Sequence, residues 1–271
     1  MTSDNGYFLY YDKSVVTDPS SLEQIVADCA AAGKNFYMEI NSGWYQPAFF
    51  FGTGCEFTYE TDTDANFTAC NMDYASDKGV VALKEIIELA SSKCFQNGSS
   101  WDKATDCAAI VDGTWDSAAI KSGLGDNFAC AKLPSFTGSD GQTYQLGGFS
   151  GFKLLGIKPQ TEEGKAAVCY QLAQYLTSSE VQTARYEAVA WGPSNTEAQA
   201  AEAVQSDVAL TALREQIPND VPQGNYPGDY WTLATSLGDT IISHDLNTKT
   251  SDEDLMKTLQ DFQDTCIGYA K

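Results

Sequence analysis

The chain has 271 residues, 43% of them hydrophobic and 12% aromatic, which is ample core material and excludes wholesale disorder. With 37 acidic residues against 16 basic, the formal charge is −21, so phosphate backbones and anionic membrane surfaces are poor partners and nucleic acid is not expected. No apolar run approaches the ~18 residues of a membrane span.

Tyr7 to Tyr11 predicts a short aromatic strand. Asp18-Pro19-Ser20-Ser21 then opens a helix with Leu22, Ile25, Val26 and Cys29 at helical spacing, closed by Gly33. Phe36 to Ile40 reads as the next strand. Phe57 to Tyr59 and Phe67 to Ala69 read as the arms of a hairpin around the polar turn Thr61 to Asn66. Asp77 precedes an amphipathic helix carrying Val80, Val81, Leu83, Ile86, Ile87 and Leu89, and a second helix is expected around Ala104 to Ala109. Ala109 to Val111, Phe128 to Cys130 and Leu154 to Ile157 read as strands. Helices are expected over Glu162 to Leu176, Ser179 to Ala188, Glu197 to Val204 and Val208 to Glu215. Pro218, Pro222 and Pro227 mark an extended connection before helices from Tyr230 to Ser243 and Asp252 to Tyr269. The alternation predicts α/β layering, and the length favours two lobes.

The motifs narrow the chemistry. His244 is the one histidine, which excludes a two-histidine metal site, and its plain reading is a helix-end residue. Ser150 lacks the final glycine of a nucleophile elbow, and no phosphate-binding loop is present. Asp62, Asp64 and Asn66 have calcium-loop spacing, but Phe67 stands where such a loop needs glycine, so a hairpin turn is the better reading. No cofactor and no metal are expected. Eight cysteines without a C-x-x-C pair point to disulfides and an oxidising setting. Cys55 with Cys70, across the hairpin, and Cys94 with Cys107, across the Gly98 connection, are the expected bridges. Cys29, Cys130, Cys169 and Cys266 have no evident partner.

Three aromatic clusters follow strands or extended segments: Asn41-Ser42-Gly43-Trp44-Tyr45, Asp112-Gly113-Thr114-Trp115-Asp116 and Asn225-Tyr226-Pro227-Gly228-Asp229-Tyr230-Trp231. Ligands of open α/β sheets bind beyond the carboxyl ends of strands. Sugar C–H faces stack on aromatic rings, while their hydroxyls need amides and carboxylates, so the clusters point to a carbohydrate site. The competing reading makes each ring a core residue. A glycoside hydrolase built on carboxylates such as Asp112 and Asp116 is a second reading, and a receptor for peptides or other polar solutes a third.

The order of these pieces resembles the extracellular solute-binding proteins of ABC importers, the family that includes maltose-binding protein. Tyr10-Tyr11-Asp12-Lys13 resembles its crossover strand, and Pro19 to Gly33 matches the following helix in place and length. Ala108 to Trp115 is similar to the family's A-M-x-x-x-G-x-W segment, and Leu133-Pro134-Ser135-Phe136 to its L-P strand end. Gly147-Gly148-Phe149 and Trp191-Gly192-Pro193-Ser194-Asn195 look like its glycine pair and its proline loop.

The resemblance implies a periplasmic-binding-protein-like (type II) two-lobed α/β fold and a non-enzymatic role. That role is the substrate-binding component of an ABC transporter, binding an oligosaccharide between lobes for uptake. It implies a crossover strand over 1–12, most of a C-terminal lobe over 13–150 and 218–271, and a partial N-terminal lobe over 151–217. Family members carry a signal peptide and a first lobe of about a hundred residues ahead of the segment matching Tyr7. On this reading the chain is N-terminally truncated, binds ligand weakly or not at all alone, and leaves the apolar faces of Val168, Leu172 and Leu176 needing cover, with self-association one way to provide it. The expected ligand contacts are Asn41, Trp44, Tyr45, Trp115, Gly148, Phe149, Tyr230 and Trp231. Permease subunits are the expected partners, and an extracellular, lipoprotein-tethered location the expected address of the full-length form.

Overall fold

The computed structural model describes residues 1–162 and 164–270. After a short strand β1 (Ser3–Asn5), the aromatic segment forms β2 (Tyr7–Asp12), followed by helix α1 (Leu22–Ala32) and β3 (Asn35–Met38). The local signals act as expected. The Ser21 hydroxyl accepts the Gln24 N–H at 3.3 Å and caps the start of α1, while Gly33, with φ 65°, closes it in the left-handed conformation that costs glycine least. Helix α2 (Pro47–Gly52), the hairpin β4 (Phe57–Thr61) and β5 (Phe67–Met72), and α3 (Asp77–Ser91) come next. Strand β6 (Phe95–Asn97) and β7 (Cys107–Gly113) lead to α4 (Ser117–Leu124), β8 (Phe128–Ala131), the small pair β9 (Ser135–Thr137) and β10 (Thr143–Gln145), and β11 (Phe149–Lys153). The remainder comprises α5 (Lys165–Leu176), α6 (Ser179–Val189), α7 (Thr196–Gln199), α8 (Glu202–Gln205), α9 (Val208–Gln216), β12 (Val221–Pro222), α10 (Gly228–Ile242) and α11 (Asp252–Gly268).

The centre is a five-stranded sheet in the order β6-β3-β7-β2-β8. β3 runs parallel to β6 and β7, whereas β2 is antiparallel to both β7 and β8. Both faces are buried, and the period of two sorts the side chains. Tyr7, Leu9, Phe36, Met38, Ala109 and Val111 join the larger core with α1, α3, α10 and α11. Phe8, Tyr10, Tyr37 and Ile110 join the other, covered by Ile120 of α4 and by Ala209, Ala212 and Leu213 of α9. A smaller sheet, β1-β11-β12, carries the chain away from this centre. α9 closes the central sheet, while α5 has no fully buried side chain.

Several elements differ from expectation. The alanine-rich segment around Ala104 to Ala109 is not helical beyond one short turn at Trp101 to Lys103; its second half begins β7. Strand pairing on both sides, to β2 and β3, outweighs the intrinsic helix preference of alanine there. The strand expected over Leu154 to Ile157 lies upstream, as β11, because Phe149 to Lys153 find ladder partners in β1 and β12, and Leu154 is 73% exposed. The helix expected over Glu197 to Val204 is two short helices, α7 and α8. His244 sits just past α10 with φ 63°, a helix-end residue. Asp62 accepts the backbone N–H groups of Asp64 and Asn66, making a hairpin turn.

All eight cysteines are free, so neither expected bridge is present. The thiol of Cys55 lies 3.6 Å from the Thr53 hydroxyl, and Cys70 stands opposite Tyr59 in the hairpin. Cys94 leads into β6 and Cys107 opens β7, on opposite sides of β3. Two strand spacings amount to roughly 10 Å, beyond the span of a disulfide. Among the described residues no helix is long and apolar enough to cross a membrane.

Candidate functional site

Because β3 and β7 are parallel, the loops that follow them leave the same edge of the sheet. One loop carries Asn41, Trp44 and Tyr45, and the other carries Trp115. Helix α10 brings its first turn, with Tyr230 and Trp231, to the same loop. Gly238 of α10 lies so close that an added Cβ would sit 2.2 Å from the Asn41 Cα, so only glycine allows this approach. The Asn41 amide donates to Asp239 at 2.8 Å and accepts from Asn97 at 2.8 Å, which fixes the loop between α10 and β6. These two bonds hold the Asn41 side chain in place and leave it one further N–H and one further lone pair.

The rings form a connected group. Trp44 stacks on Phe149 with centroids 5.6 Å apart and an interplanar angle of 24°. Phe149 meets Tyr226 at 5.2 Å, and Tyr226 meets Trp231 at 6.0 Å. Trp44, Tyr226 and Trp231 are half-buried, whereas Phe149, Tyr45 and Tyr230 are buried. The buried three support the others: the Tyr230 hydroxyl donates to the Gly43 carbonyl at 2.8 Å, and its ring meets Trp231 edge-on at 4.9 Å. Gly148 is also buried, and a Cβ there would press into the Tyr7 ring at 2.8 Å. Of the eight residues expected at the ligand, Tyr45, Gly148, Phe149 and Tyr230 thus form the backing of the face, and Trp44 and Trp231 its accessible rings.

Trp115 stands apart from this group. Its indole folds back over Gly113, where a Cβ would clash at 2.2 Å. The Lys153 ammonium lies 5.6 Å from the Trp115 ring and 3.7 Å from that of Trp191. Tyr226 is the residue that joins the two accessible tryptophans. Its sequence signal is its place in the Asn225 to Trp231 cluster. Trp191 had no signal beyond its proline loop.

Asp112 closes β7 and is completely buried. One carboxyl oxygen accepts the Gly113 N–H at 2.7 Å and the Tyr45 hydroxyl at 3.4 Å; the other has no partner. Burial pushes its pKa up to about 8, with the nearby Asp116 adding to the rise. The carboxyl group is sealed beneath the end of the sheet, next to the Trp115 loop. A cavity of about 320 Å³ beside α3, lined by Lys84, Glu88, Thr137, Asn247 and Leu255 among others, shares no residue with the aromatic group.

Residues 1–212 match the family of bacterial extracellular solute-binding proteins. No curated protein matches the sequence. Among solved structures, one described as "with acarbose" shares the fold at a TM-score of 0.81 and 25% identity, the match covering 99% of this chain and 70% of that one. The maltodextrin-binding protein MalE1 of L. casei BL23, solved without ligand, gives 0.77 at 23% identity over 99% and 70% of the two chains. The GacH receptor of Streptomyces glaucescens gives 0.71 at 16% identity over 100% and 71%. With its type II two-lobe α/β architecture matched across nearly its whole length, the chain belongs to the bacterial extracellular solute-binding protein family.

Proposed function

We propose that this chain is the carbohydrate-binding component of an ABC importer, taking an oligosaccharide onto the face made by Trp44, Tyr226 and Trp231. The observation that carries the reading is the ring series Trp44–Phe149–Tyr226–Trp231 at one edge of the central sheet. Half-buried rings on a rigid backing lose little entropy when a flat sugar face stacks on them. The structural neighbours solved with acarbose, maltotriose and maltopentaose make linear glucose oligomers the first ligands to test. Binding without turnover fits the burial of Asp112, because a glycosidase needs two carboxylates open to its substrate. Release to permease subunits outside the cell, from a lipid-tethered position, belongs to the same proposal. So does self-association through α5, whose Val168, Leu172 and Tyr175 are exposed.

Titration of tryptophan fluorescence with maltotetraose tests the binding claim. A saturable change that shrinks in Trp231→Ala supports it. The expectation from the sequence is weak or no binding by the chain alone; the ring face is proposed instead to bind by itself, so no saturable change with the natural chain, or release of products from chromogenic glycosides, overturns the proposal.

A further inference from the structure

The hairpin β4–β5 and helix α11 are far apart in sequence, yet Tyr59 brings a cysteine of each together: Cys70 opposite it in the hairpin and Cys266 at its hydroxyl. Tyr59 stands directly opposite Cys70 in antiparallel register, so both side chains leave one face of the hairpin. That face packs on α11. The Tyr59 hydroxyl donates to the Cys266 backbone carbonyl at 2.8 Å, which brings the last turns of α11 against the hairpin face that carries Cys70. Cys266 is fully buried and Cys70 half-buried, so one member of the pair is open to solution. Cys55 lies against Thr53, and Cys94 donates to the Val26 carbonyl at 3.4 Å.

We propose that Cys70 and Cys266 are the two halves of a disulfide that staples the hairpin to the last helix, formed from the dithiol of this structure by a low-molecular-weight disulfide oxidant. The accessible Cys70 acts first. Its thiolate attacks one sulfur of the oxidant, a mixed disulfide forms, and one small thiolate leaves. The Cys266 sulfur then attacks Sγ of Cys70. The Cys70–Cys266 bond forms, the mixed bond breaks, and the second small thiolate departs with the Cys266 proton. Two protein thiols lose two electrons and two protons, and the oxidant is reduced to two thiols. Burial pushes the Cys266 thiol up to about 12, which makes the second attack the slow one. The staple would hold the wall on which Tyr226 leans, since that residue donates to the Phe57 carbonyl at 2.8 Å and packs its ring on Phe57 and Tyr59.

The test treats the reduced chain with oxidised glutathione, blocks remaining thiols, and maps peptides by mass spectrometry without reduction. The expected result is a linked peptide pair containing Cys70 and Cys266 that separates on reduction. It is accompanied by a rise in Tm of roughly 5–10 °C, reversed by reductant and absent in Cys70→Ala. In Cys266→Ala the glutathione adduct should stay on Cys70. Cys70 appearing in the natural chain only as a glutathione adduct, or linked to Cys55, or unmodified, overturns the proposal.

Discussion

The central sheet and the pair α5–α6 solve the burial problem in opposite ways. Phe8, Leu9, Tyr10, Phe36 and Ile110 are completely shielded, and the two faces of the inner strands each lie under a hydrophobic core. On α5, by contrast, Val168 is 64% exposed, and Tyr170, Leu172 and Tyr175 are also open. An amphipathic helix gains most of its stability from packing. The first region therefore holds itself together, and the second keeps apolar surface available. The ring face of the candidate site belongs to the first region, which gives it a stiff backing.

The sharpest break of this contrast is Phe8→Ala. It should cost about 3–5 kcal/mol in urea unfolding, since the residue fills the closed core beneath α9. A loss below about 1 kcal/mol would mean the sheet is not the stable unit. Asp112 gives the next effect. Its folded-state pKa, about 8, lies above the ordinary carboxylate range, so the folded state binds the extra proton. Its contribution is fully present below the unfolded pKa of about 4 and is lost as pH rises through 8. Stability should fall by a few kcal/mol across that window, and Asp112→Asn should flatten the slope, as read from unfolding midpoints at pH 5 and pH 8.5. Asp220, raised to about 7, and Glu85, also raised to about 7, push in the same direction through burial, so some slope should remain. Trp231→Ala should weaken maltodextrin binding by roughly 1–2 kcal/mol, about 5- to 30-fold in Kd, with a smaller change in Tm. Leu172→Ala on α5 should shift stability by no more than about 0.5 kcal/mol, and the α5 amides should exchange far faster than those of β2. A large loss from Leu172→Ala would show that α5 has a packed partner in solution.

Much of this architecture could be read from local chemistry. Ser21 and Gly33 bound α1 because capping and left-handed geometry act within a few residues. The aromatic loops after β3 and β7 were likewise visible in the order of strand and cluster. What local reading missed depends on long-range pairing. The segment at Cys107 extends because β2 and β3 flank it, and the Cys94 and Cys107 thiols are separated by a strand that lies far upstream. Which rings face outward was equally hidden. Trp231 and Tyr230 are adjacent, yet one is half-buried while the other hydrogen-bonds beneath Gly43. Tyr226 joins the tryptophans through a contact with Phe149, a residue nearly eighty positions earlier in the chain.

The most direct test of the central claim uses the five tryptophan indole N–H signals in a ¹⁵N-edited NMR titration with maltotetraose. The signals of Trp44 and Trp231 should move together and saturate with one Kd, while Trp101, packed on Gly123 away from the ring group, stays fixed. Movement of Trp101 alone, or no movement of Trp44 and Trp231 in the presence of the sugar, would contradict the account.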